Sequence, residues 1–480
     1  ENPPKYSDKF WKKYWNDTPR VSLPDADLQK FWELALYKQA GMTPPDGVAA
    51  GLQGAWMEEY QLPPWSNDYH FNINVQLIYY PALMTNRASH FAPLWQMVKE
   101  WLPTLQESGK HFFENEKAMM LPHATDDHCG VLGGFWTGMI DHGCIAWVAQ
   151  MAWLNYRYTL DEGVLRDIAW PLMNGAFEGY WSMKEDRDGK FSLPITVSPE
   201  YRGAEMNAWG RDASFQLAAW HALSQMLPQA ARVLGEPLDA RWQEVEAKLP
   251  PYSVHDESIA LWDGLILEES HRHHSHLAGI WPFCSYEPLT AEHLPIVARS
   301  IAHWNKNGAG MWTGWCLPWA SILCSRLELP DAAVAWLKWL DNFTNAGYGT
   351  RHNADFSGVA VMDTGQLARR AAGLPEHENE VMQMDATMGF LIAVCELLVQ
   401  NRKDENGQSI IHVLPRLPRR WRHLSFDGIA VEGAFLLGAT VENAHLREVR
   451  VTSNKGGMLR LRCKEKLIER QMVAGESIVI

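Results

Sequence analysis

Two asparagines stand two residues apart in Asp68-Tyr-His-Phe-Asn-Ile-Asn74, shortly after Pro63-Pro-Trp65. On an extended backbone, residues i and i+2 point to the same side. Asn72 and Asn74 would then aim two neutral carboxamides at one spot, each with an acceptor oxygen and an NH2 donor. Such a pair can hold a water molecule and orient a carboxylate without adding charge. His70 shares the same alternation and should point into the same pocket. Two carboxylates elsewhere in the chain have settings that suit chemistry. Glu200 closes Val197-Ser-Pro-Glu200, where the proline argues for a loop rather than a helix interior. Asp385 closes Gln383-Met-Asp385, immediately before the apolar run Met388–Leu398. That is the place of a helix N-cap, and a helix N-terminus would help keep the acid ionised.

The run His271-Arg-His-His-Ser-His-Leu277 puts four histidines in six residues. Zinc sites take histidine ligands, but the Arg272 charge inside the run disfavours a cation, and no metal is expected. Imidazoles and a guanidinium can instead bond hydroxyl groups. The chain shows no phosphate-binding Walker loop, no dinucleotide fingerprint after a strand and no nucleophile elbow, so no cofactor is implied.

In order along the chain stand Gln53-Gly-Ala-Trp56, Asn72-Ile-Asn74, His123-Ala-Thr-Asp126, Val197-Ser-Pro-Glu200, the histidine run, Thr313-Gly-Trp315 and Gln383-Met-Asp385. Together these segments resemble glycoside hydrolase family 95, the inverting α-L-fucosidases, from about Leu23 to beyond Gly433. The resemblance implies an (α/α)6 toroid and an exo-acting hydrolase that releases a terminal α-linked L-sugar, L-fucose by default. It makes Glu200 the general acid and Asp385 the general base, positioned by Asn72 and Asn74. It places His271, Arg272, His273 and His276 in a sugar pocket, with His70, Trp65, Asp126, Trp315 and Thr387 as further parts of its wall. A general acid needs a raised pKa, so Glu200 should lie against apolar or aromatic groups such as Trp209. The family's Gln-Ile-Asp-Gly-Asn-Phe-Gly is here Gln383-Met-Asp-Ala-Thr-Met-Gly389. The catalytic carboxylate stays while its neighbours change, which leaves L-galactose as an alternative sugar. A phosphorylase on the same toroid, a polysaccharide lyase and a noncatalytic glycan-binding relative are the competing classes. The family's large β-sandwich ahead of the toroid has no counterpart in the sequence.

The elements that must position these groups are mostly helical. Residues 1–24 are polar and Trp-rich and read as an arm or linker. Pro24-Asp25 then opens a helix in which Leu28, Phe31, Trp32, Ala35 and Leu36 follow helical spacing up to Gly41. Further helical patterns cover Met139–Tyr158, Arg211–Leu227, Gly314–Leu327, Ala332–Phe343 and Thr387–Gln400, within a catalytic domain spanning 25–401. Several are apolar nearly all round, as helices packed on two sides must be. From residue 402 the texture turns to short β-branched runs, Ile410–Leu414, Ile429–Leu437, Leu446–Thr452 and Met458–Arg462, which read as a small antiparallel β-domain over 402–480.

At 480 residues, 46% hydrophobic and 21% charged, the chain reads as a large globular protein. A net charge of −14 argues against nucleic acid or an anionic membrane as partner and says little about a neutral sugar. No apolar run is long enough to span a bilayer. The 24 tryptophans should pack mainly between helices, with a minority lining a cleft for sugar C–H faces. The seven cysteines are scattered and describe no disulfide framework. No signal peptide opens the chain, so periplasmic, secreted and cytoplasmic locations all stay open, as does the oligomeric state.

Overall fold

The computed structural model describes residues 5–54, 64–134, 136–343, 350–351, 382–404 and 407–480. Its helical part is an (α/α)6 toroid. Among the described residues, the inner ring consists of Asn74–Tyr79 with Pro81–Met84, Gly143–Thr159, Ser214–Leu234, a segment over 275–283, Cys316–Arg326 and Asp385–Leu398. Outer helices alternate with them: Ala26–Met42, Ala92–Phe113, Trp170–Met183, Ala240–Lys248, Leu294–Asn307 and Pro330–Trp339. The ring closes because Asp385–Leu398 packs against both Cys316–Arg326 and Asn74–Tyr79. Every residue of the two helices Cys316–Arg326 and Asp385–Leu398 is buried, which accounts for their lack of a polar face.

Indole rings fill the space between inner segments. Trp147, Trp220, Trp281 and Trp319 are fully buried, and Trp281 lies about 6 Å from both Trp147 and Trp319. The helix Ala26–Met42 starts as its sequence predicts, with the Asp25 carboxylate accepting from the Leu28 amide. Ser214–Leu234 runs past the expected end at Leu227. It carries Pro228 inside and stops only at Gly235, whose φ of 72° suits glycine. Burial of Ala230 and Ala231 beyond the proline offsets the missing hydrogen bond.

Residues read as an arm form the helix Lys5–Asp17, anchored by the Tyr14 hydroxyl on the Leu36 carbonyl at 2.6 Å. The strand Arg20–Ser22 that follows joins the C-terminal region. It pairs antiparallel with Leu424–Val431 in a five-stranded sheet completed by Phe435–Glu442, His445–Ser453 and Ser477–Val479. A second sheet contains Val399–Lys403, Ser409–Val413, Gly457–Cys463 and Lys466–Met472. Pairing is antiparallel throughout except between Ser409–Val413 and Gly457–Cys463, which run parallel. The expected single strand Ile429–Leu437 is a hairpin, turned at Gly433 and Ala434, both at positive φ. Among the described residues, no helix is long and apolar enough to cross a membrane.

Candidate active site

The strand Tyr69–His70 pairs with Ala124–Thr125, and the Phe71 amide donates to the His123 carbonyl at 2.6 Å. The backbone then turns instead of staying extended, and a helix starts at Asn74. Simple alternation therefore does not set the direction of the asparagine pair, and the two amides take different partners. Asn74 Nδ2 donates to Asp385 Oδ2 at 2.6 Å, while Asn72 Nδ2 donates to Glu200 Oε1 at 2.8 Å. The expectation that both serve Asp385 is corrected: each carboxylate has its own amide.

Glu200 sits at φ 55°, a left-handed conformation that a non-glycine residue adopts at a cost. Its loop is held from three sides. Gln216 Nε2 donates to the Val197 carbonyl at 3.0 Å, the Ser198 and Ser275 hydroxyls are 2.6 Å apart, and His271 Nε2 bonds the Pro199 carbonyl at 3.1 Å. The histidine run is thus the wall that fixes the acidic loop. Arg272 donates directly to Glu200 Oε2, and His273 Nε2 lies 3.6 Å from the same oxygen. Burial raises the Glu200 carboxyl, but Arg272, His273 and His70 outweigh it and hold the group well below the usual carboxylate range. The expected raised pKa is not found, because the Arg272 cation stands where an aromatic wall was foreseen. Trp209 is 42% exposed and spends its indole N–H on the Met206 carbonyl.

Asp385 is the opposite case. It is fully buried as the first residue of Asp385–Leu398, with Met384 in the N-cap position. Its Oδ1 accepts from the Ala386 amide at 2.6 Å. Burial pushes its carboxyl up to about 6, against the lowering effect of Asn74, the Ala386 amide and His70. Asn72 and Asn74 stand two residues apart and bond Glu200 and Asp385 respectively, so the two acids face one site. The arrangement supplies two carboxyls in unlike surroundings, each oriented by a neutral amide, which is the equipment of general acid–base chemistry.

The remaining candidates divide. His70 lies at the site, bonded through Nδ1 to Asp68 Oδ1, and Trp315 packs edge-on against His273 with ring centres 4.8 Å apart. Thr387 is buried in the first turn of the Asp385 helix. His276 is buried beside the outer helix and feels His303 rather than Glu200. Asp126 is engaged in its own loop, where Oδ1 accepts from the amides of His128 and Gly130. The side chain of Trp65, like Trp56, lies outside the described residues. The four histidines diverge: His274 Nε2 bonds the Cys316 carbonyl while Trp304 donates to its Nδ1. Among the described residues, no group of three or more His, Cys, Asp or Glu is placed to hold a metal ion.

Three residues at the site were not singled out from sequence. Asp68 is buried behind His70, and His123 stacks edge-on against His70 at 5.4 Å with its pKa lowered to about 4, chiefly by burial. Both stand in motifs quoted above, so a signal was present. Asp141 carried none. It is buried beneath the Glu200 loop, where Gln216 Nε2 reaches its Oδ1 at 2.7 Å as well as the Val197 carbonyl, and burial pushes its carboxyl up to about 7.

Comparison with known proteins places the chain in a family. The chain is 24% identical over 433 residues to Alpha-L-fucosidase 2 of Arabidopsis thaliana, covering 85% of this chain and 47% of that protein. It is 23% identical over 422 residues to Probable alpha-fucosidase A of Aspergillus niger, covering 81% and 49%. The chain therefore spans about half the length of these curated relatives. In fold it is similar to a protein described as a kojibiose phosphorylase from the human microbiome, with a TM-score of 0.63, 12% identity, and coverage of 99% of this chain and 68% of that one. The model for the glycosyl hydrolase family 95 catalytic domain matches residues 23–398, and that for the family's C-terminal domain matches 406–478. With the matched region containing Asn72, Asn74, Glu200 and Asp385, the chain belongs to glycoside hydrolase family 95.

Proposed function

We propose that this protein is an exo-acting, inverting glycosidase that removes a terminal α-linked L-sugar from oligo- or polysaccharides. The observation that carries the reading is the division of the asparagine pair, Asn72 on Glu200 and Asn74 on Asp385. Inversion needs one carboxyl to protonate the departing glycosidic oxygen and another, across the sugar ring, to take a proton from the attacking water. Glu200, at the more accessible end with its side chain 13% exposed, is the proton donor. Asp385, fully buried, is the base, and the Asn74 amide leaves it one well-defined direction in which to meet a water. Relatives named as fucosidases make L-fucose the first sugar to test. Ala386, Thr387 and Met388, all buried beside Asp385, make L-galactose the second. Its hydroxymethyl group differs from the fucose methyl by one hydroxyl, a change that an apolar wall discriminates by only about 1–3 kcal/mol.

The likeness in fold to a phosphorylase raises phosphorolysis as a second reading. A phosphorylase uses phosphate as its nucleophile and needs no base, whereas here Asp385 is kept and carefully bonded. The test is a panel of aryl α-L-glycosides and fucosylated, galactosylated and rhamnosylated glycans, with and without phosphate, following the first-formed anomer by proton NMR. Release of the β-anomer of an L-sugar, independent of phosphate, is expected. Release of the α-anomer refutes inversion, and a rate proportional to phosphate establishes phosphorolysis.

A further inference from the structure

Glu200 is assigned to give up a proton, yet it is bonded to a guanidinium that demands a carboxylate. The groups around it are Arg272 and His273 from the histidine run, Asn72 and His70 from the first inner hairpin, His123, His271, and Asp141 with Cys144 behind the loop. Asn72 can donate to one oxygen of either the acid or its anion. His273 is fully enclosed and 3.6 Å away. Arg272 is therefore the group incompatible with the acid form. It is also the more exposed partner of the pair. Its side chain is 28% exposed against 13% for Glu200, so the clamping group reaches solvent more than the acid it holds. Its backbone, by contrast, is pinned by the Cys316 thiol on its carbonyl at 3.1 Å and flanked by buried His271 and His273. A guanidinium has five N–H donors, and among the described residues Glu200 is the one hydrogen-bond partner of the Arg272 side chain.

Resting on the glycosidase reading above, we propose that Arg272 is a displaceable clamp: it holds Glu200 in the sugar-free protein, and the hydroxyl oxygens of an incoming L-sugar draw it off. Glu200 then takes a proton from water and becomes a donor only when the pocket is filled. In the reaction that proton passes to the glycosidic oxygen as the bond to the anomeric carbon breaks. Water adds to that carbon, and its proton goes to Asp385. Solvent exchange afterwards restores both carboxyls. Arg272 is on this account a positioning residue whose effect runs through Glu200. The clamp keeps the acid discharged until a substrate is seated, so acid strength and sugar occupancy are one coupled equilibrium.

The test is a carbon-13 NMR titration of carboxyl-labelled glutamates in the full chain, with Glu200 assigned by its loss in Glu200→Gln. L-Fucose at saturation should move the Glu200 titration up by at least one pH unit, a tenfold gain in the protonated form. In Arg272→Met the group should titrate high without sugar and respond little to it, and Arg272→Lys should restore part of the sugar response. In kinetics on a fucosylated oligosaccharide, whose alcohol leaving group needs the proton, the basic limb of kcat should lie above that of kcat/KM for the native chain, and the gap should close in Arg272→Met. Calorimetric binding of L-fucose with the Glu200 titration unmoved overturns the clamp while leaving the glycosidase reading intact. An equal sugar response in Arg272→Met does the same. If Arg272→Met does not fold, the native titration and Arg272→Lys decide the matter. Absence of both L-fucose binding and aryl fucoside cleavage removes the glycosidase reading, and the clamp falls with it.

Discussion

Replacing Asp385 by asparagine should make the protein more stable at neutral pH while abolishing turnover. The carboxyl is fully buried, and burial raises it from the ordinary aspartate value of 3.8 to about 6. A carboxyl whose folded pKa lies above its unfolded one costs nothing where both states are protonated. It costs progressively more as pH rises between the two values, and a constant amount above the folded one. Two units of displacement at 1.36 kcal/mol each give about 3 kcal/mol of stability lost between about pH 4 and pH 6. Asparagine has no charge to bury. Its side chain keeps the volume, and rotation of the Asn74 amide lets it offer a matching partner. Any residual mismatch with the Ala386 amide is independent of pH. Urea denaturation of the native and Asp385→Asn chains from pH 4 to pH 8 should therefore show a stability difference that shifts toward the variant by about 3 kcal/mol up to pH 6 and is flat beyond. A difference that stays constant across this range would refute the claim that Asp385 is an ion held against its desolvation.

Further outcomes follow from individual contacts. Asn74→Ala removes a hydrogen bond to a buried carboxylate, worth about 1.5–3 kcal/mol, so kcat should fall about 10- to 150-fold with a much smaller change in KM, read by steady-state kinetics. Asn72→Ala acts on Glu200 instead, so its loss should be far greater for a natural glycan than for a nitrophenyl glycoside, whose leaving group needs little protonation; equal losses would place Asn72 elsewhere. Arg326 meets Glu396 in a doubly bonded ion pair with both side chains buried. Arg326→Met should cost about 3–5 kcal/mol in denaturation, with most of it recovered by adding Glu396→Leu. A Cβ on Gly138 would stand 2.1 Å from His123 Nδ1. Gly138→Ala should therefore displace that ring from His70 and lower both kcat and the melting temperature, at a cost of about 1–3 kcal/mol.

The residues of the site were legible because their chemical types recur in short strings: Asn72 with Asn74, Glu200 after Ser198-Pro199, Asp385 after Gln383. Their pairing was not. Which amide meets which acid depends on a turn at 71–73 and on a helix beginning at Asn74, and periodicity cannot see a change of conformation within three residues. The charge state of Glu200 was misjudged for a similar reason. Pro199 and Trp209 are visible near it, but Arg272 comes from 72 residues away. Burial alone marks Asp141, and a lone aspartate before an apolar helix reads as an ordinary cap. In the fold, the inner helices announced themselves by being apolar all round. The Lys5–Asp17 helix did not, since it has one aromatic side, with Trp11 on Tyr37 and Tyr14 against Leu36 and Arg87, among mostly charged residues. The hairpin within Ile429–Leu437 was hidden because its turn, Glu432-Gly433-Ala434, is short and flanked by residues as apolar as a continuous strand.

The contact between Asn74 and Asp385 spans 311 positions in the chain, and the strand Arg20–Ser22 finds its partners at Ser425–Asp427. During synthesis both early segments must wait for late ones. Asp385 opens the helix that closes the ring, so the base arrives with the last inner wall. The final beta hairpins then tie down the strand made first. A chain that ends before Asp385 lacks the carboxyl proposed above to activate water, and lacks the helix that packs on Asn74–Tyr79. On the proposed mechanism, the second carboxyl joins the first in the same step that closes the ring. The loop-closure entropy of so long a span must be met by the packing of that final helix.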